Sequence, residues 1–305
     1  MLAEIIKVKI ENVLNDKILD SRSITGGCIN DSKIILTKSG NKYFLKTNIH
    51  NPADMFHKEA NGVGELAKAK VIRIPEVIYC DSEFILLEAI EQSNKRKDFS
   101  EDFGRRFAQL HKNTSKEYGF YEDNYIGSTP QINIALSNEK NDWAKFYFNK
   151  RLEFQFRLAE KNGFINDEFR KSFSKLENKI ESIIKPESEI SSLLHGDLWG
   201  GNYLVDETGI VFLIDPAVYF GNREADLAMT KLFGGFDYKF YVSYNEEYPL
   251  DDGYEYRENI YKLYHIINHL NLFGSSYYSQ ALSLMKYYLW GQDQVQVQVV
   301  LGGKE

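Results

Sequence analysis

The chain has 305 residues, enough for one large domain or two modest ones, each with its own core. Hydrophobic residues make up 43% and charged residues 27%, and 37 Lys+Arg against 44 Asp+Glu give a formal net charge of −7. An acidic chain with no basic tract has no electrostatic footprint for nucleic acid or an anionic membrane, and without an apolar run of about 18 residues it offers no transmembrane helix.

Leu2, Ile5, Ile6, Ile10, Val13 and Leu14 fall near helical spacing and predict a short amphipathic helix over 2–14. Charges at Glu4, Lys7 and Lys9 interrupt it, so it lacks the apolar centre of a signal peptide. The glycine turn Ile24–Asn30 follows, then two β-rich stretches, 33–38 and 42–47, joined by the hairpin signal Ser39-Gly40-Asn41. Residues 54–69 read as a helix, and Val71–Pro75, Val77–Cys80 and Phe84–Glu88 as short strands. A polar stretch at 91–98 reads as a linker. Helices are then expected over 99–112, 141–162 and 166–184, and a short strand at Ile190–Leu194. Tyr203–Val205 and Val211–Ile214 pair around a turn at Asp206–Gly209, and from Asp226 onward the pattern is helical and rich in aromatics. The alternating Gln and Val of 292–300 receive no role. Strands first and helices after, with one linker between, give an α+β fold in two lobes, 1–90 and 91–305.

The strongest chemical signal is His195-Gly196-Asp197-Leu198-Trp199-Gly200-Gly201-Asn202, followed by Ile214-Asp215-Pro216. Either aspartate alone would read as a turn cap. Together, after an apolar strand, Asp197, Asn202 and Asp215 have the order and spacing of a kinase catalytic loop. In such a loop the first Asp takes the proton of the acceptor hydroxyl. The Asn and the second Asp hold Mg²⁺ against the phosphates of ATP, hard oxygen donors for a hard cation. Lys46 ends the stretch Tyr43-Phe44-Leu45, with Glu59 thirteen residues further on in the next helix. Alone, the two would be a solvated strand end and a surface acid; beside the Asp–Asn–Asp set they match the kinase pair of phosphate-binding lysine and supporting glutamate. The turn Gly26-Gly27-Cys28, about twenty residues ahead of the lysine, lacks side chains that would block an approach to phosphates. Cys28 reads either as a small packed side chain or as an accessible thiol at the nucleotide. It and Cys80 are the only cysteines, which is no disulfide framework and points to a reducing cytoplasm. The segment Phe84–Ile90 closes the first lobe, and Glu88 and Ile90 are candidates for adenine contacts. His195 reads as a scaffold residue, and Asp226 as a helix cap bracing the catalytic loop through backbone N–H groups.

These residues resemble the phosphotransferases related to aminoglycoside, choline and fructosamine kinases. Gly196–Asn202 with its Trp and two glycines, Asp215–Met229, Asp123–Gln131, Asp142-Trp143, Arg151-Leu152 and Tyr264–Gly274 narrow the resemblance to the fructosamine kinases, over roughly residues 20–288. The resemblance implies a protein-kinase-like two-lobed fold with ATP and Mg²⁺. It also implies phosphorylation of the 3-hydroxyl of a ketosamine, free or protein-bound, after which the adduct falls apart: a deglycation step. Asp197 would then be the base, Asn202 and Asp215 the metal ligands, and Trp199 a wall of the sugar pocket, with Asn124, Gln131 and His269 as further pocket candidates. A monomer and a homodimer are both compatible with it. An aminoglycoside or choline kinase is the alternative enzyme. A nucleotide-binding pseudokinase would predict a missing Lys, Asp or Asn, and all are present.

Overall fold

The computed structural model describes residues 2, 4–24, 31–47, 52–184 and 190–290. Helix α1 (Glu4–Leu14) covers one face of an antiparallel sheet made from β1 (Ile18–Ser23), β2 (Asp31–Thr37), β3 (Lys42–Thr47), β4 (Val77–Cys80) and β5 (Phe84–Glu88). Helix α2 (Met55–Lys68) is inserted between β3 and β4, and the strand order is β1-β2-β3-β5-β4. Side chains alternate across a strand. Ile35, Leu45, Phe84 and Leu86 therefore pack with Ile10 of α1, while Ile85 and Leu87 pack with Phe56 of α2. Lys46 pairs in register with Ser32 and Ile85, which places it on the α2 side of the sheet. One strand position decides this: Leu45 faces the apolar layer and Lys46 faces the cleft.

The rest of the chain is mainly helical. It runs through α3 (Phe99–His111), β6 (Thr114–Ser115), the hairpin of β7 (Asn124–Ile126) and β8 (Thr129–Gln131), α4 (Trp143–Tyr147), a π-helical segment (Phe148–Glu153), α5 (Phe154–Lys161), α6 (Asp167–Glu177) and α7 (Ile180–Ile184). Then follow β9 (Ser191–Leu194), β10 (Tyr203–Val205), β11 (Val211–Leu213), β12 (Tyr219–Gly221), α8 (Glu224–Thr230), α9 (Tyr238–Glu247), α10 (Tyr254–Phe273), a 3₁₀ turn (Ser275–Tyr277) and α11 (Tyr278–Trp290). Helix starts are fixed by side-chain caps: Asp142 accepts from Lys145 N at 3.0 Å, and Asn166 from Phe169 N at 2.9 Å. The largest core cluster gathers Trp143, Phe146, Tyr147, Phe169, Tyr261, Tyr264 and Ile267 around α10. Each such fully buried side chain contributes about 1.5–3 kcal/mol of apolar transfer. Among the described residues, no helix is long and apolar enough to cross a membrane.

Three expectations from the sequence are corrected; the simplest is the helix predicted over 166–184, which is broken at Asn178-Lys179 into α6 and α7. The single helix predicted over 141–162 is α4, the π-helical segment and α5 in succession. The wider turn carries Arg151 inward, where it donates to Ile132 O at 2.6 Å and Asn133 Oδ1 at 2.7 Å and lies 4.0 Å from the centre of the Tyr219 ring. A 3.6-residue period cannot show such an insertion. Residues 71–75 are not a strand of the sheet; Arg73 makes an isolated bridge to Phe212, and Leu213 N donates to Arg73 O at 3.0 Å. Their apolar side chains are used against the helical lobe instead.

Helix α2 is tied to the helical lobe as firmly as to its own sheet. Tyr125 OH donates to Asp54 Oδ1 at 2.8 Å, Lys58 Nζ to Glu122 Oε2 at 2.6 Å, and Asn61 Nδ2 to Glu122 Oε1 at 2.8 Å.

Candidate active site

Strand β9 ends at Leu194, and the loop 195–202 begins under tight constraint. Gly196 has φ +84°, and a Cβ there would lie 1.9 Å from Ala217 O, so the close approach of the two segments requires glycine. The carboxylate of Asp226, buried in the first turn of α8, accepts from His195 N at 2.7 Å, Gly196 N at 2.8 Å and His111 Nε2 at 3.2 Å. Burial alone would raise its pKa; these donors outweigh burial and hold it below the ordinary aspartate range. His195 Nε2 donates to Ile214 O at 2.9 Å, and its Nδ1 accepts from Asp197 N at 3.3 Å. The histidine therefore clips the loop to the strand that precedes Asp215, and burial pushes its pKa down.

The hairpin β10–β11 explains the spacing between Asn202 and Asp215. Asp206 Oδ1 closes its turn by accepting from Thr208 N and Ile210 N at 3.0 and 2.8 Å. The strands pair Tyr203 with Leu213, and Ile214 N donates to Asn202 O at 3.1 Å. The two residues that flank the hairpin are thereby brought side by side. Asn202 Nδ2 donates to the backbone O of Asp197 at 2.7 Å and to its Oδ2 at 3.2 Å. Asp215 has φ +55°, a left-handed conformation that costs a residue with a Cβ about 1 kcal/mol or more. Its carboxylate forms an ion pair with Lys46, whose Nζ also donates to Glu59 Oε1 at 2.6 Å. Burial opposes the charge on Lys46, but Asp215 and Glu59 more than compensate and its pKa rises, so it stays protonated. Asp197 lies close to this carboxylate-rich centre; burial first, then the charge of Asp215, raises its pKa well above the ordinary value.

Lys46, Glu59, Asp197, Asn202 and Asp215 thus converge on one cleft of about 470 Å³. A second cavity of about 450 Å³ is lined by Ile24, Ile34, Leu36, Ala89 and Ile90. Ile34 and Leu36 alternate with Ser32, the partner of Lys46, so both cavities open on one face of β2 and β3. Ile90 is at this second cavity. Glu88 is at neither: its N–H donates to Glu76 O at 2.9 Å and its carboxylate accepts from Glu76 N at 3.2 Å. Gly26, Gly27 and Cys28 lie outside the described residues.

Opposite Lys46 the cleft is aromatic. Trp199 packs edge-on to Phe233 at 6.0 Å, Phe233 lies 4.7 Å from the His269 ring, and His269 lies 5.3 and 5.2 Å from Phe273 and Tyr277. Asn124 lines the cleft too, but its Nδ2 is committed to Val218 O at 2.8 Å. Gln131 does not reach the cleft. It is 1% exposed and stands behind the wall, donating to Asn124 Oδ1 and Ala217 O, each at 2.9 Å, and accepting from Tyr264 OH at 2.9 Å. Asn133 and Arg151, both fully buried, continue the network into the helical lobe.

His265 escaped the sequence reading. It is buried, its Nδ1 is 4.0 Å from Asp197 Oδ1 with no hydrogen-bond partner among the described residues, and burial drives its pKa down to about 3. The available signal was its place one helical turn before His269, whose Nδ1 donates to His265 O at 2.8 Å. Phe233, an isolated aromatic before two glycines, carried no recognisable signal.

A small antiparallel sheet over a helical lobe, with a lysine, a glutamate and an Asp–Asn–Asp set meeting between them, defines a protein-kinase-like phosphotransferase that acts on a hydroxyl group. The chain belongs to the fructosamine kinase family, whose sequence model matches residues 1–290. The chloroplastic protein-ribulosamine 3-kinase of Oryza sativa subsp. indica is 39% identical over 90% of this chain and 80% of its own length. A crystal structure of a protein named putative fructosamine-3-kinase, from Haemophilus somnus 129PT, has a TM-score of 0.81 at 29% identity, covering 92% of this chain and 95% of that one. The streptomycin–ATP complex of APH(2")-IIa shares the fold at a TM-score of 0.64 and 14% identity, covering 93% and 96%. Membership of a kinase family makes ATP the phosphoryl donor.

Proposed function

We propose that the protein transfers phosphate from ATP to the 3-hydroxyl of ketosamines, the fructosamine, ribulosamine or erythrulosamine adducts of amines, as a step in deglycation. The observation that carries this reading is the acceptor side of the cleft. It is walled by Trp199, Phe233, His269, Phe273 and Tyr277, and the only carboxylates lining the cavity among the described residues are Glu59, Asp197 and Asp215. An aromatic face suits the apolar face of a sugar. An aminoglycoside, a polycation, needs carboxylates beyond those that the nucleotide side employs. The chloroplastic relative is named for ribulosamine.

The donor set fits Mg²⁺. Asp215 offers a carboxylate, and Asn202, whose Nδ2 is engaged by Asp197, offers its amide oxygen. When bound, the ion would neutralise charge on the phosphate oxygens. Lys46, held protonated by two carboxylates, would meet the phosphates nearest the sheet, and Ile90 would line the adenine end. Asp197 would accept the proton of the attacking hydroxyl, a task helped by the raised proton affinity that burial gives it. Trp199 would hold the sugar ring over that carboxylate.

The test is Mg-ATP-dependent phosphorylation of ribulosyl-lysine and fructosyl-lysine, with kanamycin and choline as controls. Turnover of a ketosamine alone is expected, and Asp197→Asn should lower kcat by at least about 100-fold while ATP binding persists. Turnover of a control alone would refute the acceptor; an active Asp197→Asn enzyme would refute the base.

A further inference from the structure

The cleft does not end at Trp199. Its aromatic wall continues through Phe233 and His269 to Phe273 and Tyr277, and it comes out to solvent: Phe233 is 44% exposed and Phe273 48%. Phe233 is held there at some cost to the backbone. Its φ is +53°, a left-handed conformation that a residue with a Cβ adopts under strain, and Gly234 and Gly235 follow at +102° and +72°. Strain and exposure of a large apolar ring at one position, inside the catalytic cleft, mark a surface kept for a ligand. The wall starts beside Asp197, where the sugar hydroxyl must sit, and leads away from it. The part of the acceptor that follows this path is the amine carrier attached to the sugar.

The geometry points to Phe233, Phe273 and Tyr277 as a carrier subsite that selects ketosamines whose amine bears an apolar alkyl stem, the chemistry of a lysine side chain. This inference rests on the ketosamine reading above. Aromatic faces match the methylenes of such a stem, and they also favour a cationic amine nitrogen close to the sugar. The open outer end leaves room for whatever the stem is attached to. Among the described residues this side of the cavity carries no carboxylate and no lysine or arginine, so a charged carrier would find no counter-ion.

The experiment compares ribulosyl adducts of methylamine, propylamine, pentylamine and Nα-acetyl-lysine in the wild type, Phe233→Asn and Phe273→Ala. Asparagine tolerates the left-handed backbone, and Phe273 stands half-exposed at the end of α10, so neither change needs to disturb folding. In the wild type, KM should fall about fourfold for each methylene that the wall covers. In Phe233→Asn the kcat/KM ratio of pentyl to methyl adduct should drop about tenfold, and Phe273→Ala should lower the same ratio. A wild type indifferent to stem length, or variants that slow all adducts equally, would overturn the subsite and leave the ketosamine function standing. A wild type that turns over none of the four adducts, nor their fructosyl and erythrulosyl counterparts, would overturn both.

Discussion

Replacing Asp226 by Asn removes one charge and almost no volume, yet it should destabilise the enzyme and slow it. The carboxylate accepts three hydrogen bonds, two of them from the backbone N–H groups of His195 and Gly196, directed at different oxygens. An asparagine presents an oxygen to one of these amides and an NH₂ to the other. The better rotamer keeps its oxygen where His195 N and His111 Nε2 donate and leaves the Gly196 N–H without an acceptor, about 1–3 kcal/mol, and each of the two remaining bonds loses its charge assistance, about 1 kcal/mol apiece. The sum is about 3–5 kcal/mol, which for a chain of this size is a fall in Tm of about 5–8 °C. The orphaned amide immediately precedes Asp197, so kcat should fall with little change in the KM for ATP. The pH dependence has a definite sign. Because the folded pKa of Asp226 is depressed, its stabilisation is present above the unfolded value of 3.8 and is lost as pH falls through the lower, folded value. The Tm gap between wild type and variant should therefore be level from pH 8 to about 5 and narrow only below about 4. Thermal unfolding followed across that range is the assay. A gap under about 2 °C at pH 7 would mean that these bonds do not anchor the loop.

Lys46→Met should lower kcat/KM for ATP by about 100-fold or more, because it removes the charge that the proposed mechanism sets against the phosphates and leaves Glu59 buried without its partner; unchanged ATP kinetics would dissociate Lys46 from the nucleotide. Gly196→Ala, with its Cβ forced to 1.9 Å from Ala217 O at a φ of +84°, should cost about 3 kcal/mol or more and abolish turnover, and a normal melting curve would contradict the packing. Gln131→Leu strands Ala217 O and the hydroxyl of Tyr264, for a loss of about 2–4 kcal/mol, but should leave the acceptor KM unchanged. A raised acceptor KM at normal stability would instead put Gln131 in contact with the sugar.

What the sequence revealed and what it concealed follow from the range of the interactions. The sheet-then-helices architecture and the short hairpin between Asn202 and Asp215 rest on local periodicity and turn chemistry, so they were legible. Asp226 was legible in part: it braces the catalytic loop through backbone N–H groups as expected, but it does not cap α8, whose N-cap is Arg223, because both its oxygens are taken by His195, Gly196 and His111. The role of Gln131 was not: its partners Ala217 and Tyr264 are 86 and 133 residues away, and a glutamine behind a wall looks the same in sequence as one that lines it. His265 was hidden for a similar reason, because only the crossing of α10 behind the loop brings it to Asp197. Arg151 depended on a π turn that no apolar period records. Glu88 and Ile90, two residues apart on one segment, share a strand parity, yet only Ile90 reaches a cavity, because the chain has left the sheet in between.

The three bonds from α2 to Glu122 and Tyr125 have a consequence for how this enzyme is switched on. The helix that carries Glu59 is fixed both to the sheet, through Phe56, and to the helical lobe, so the contact between Glu59 and Lys46 is set when the two lobes fold together. A control mechanism that swings this helix outward would first have to break an ion pair and two hydrogen bonds.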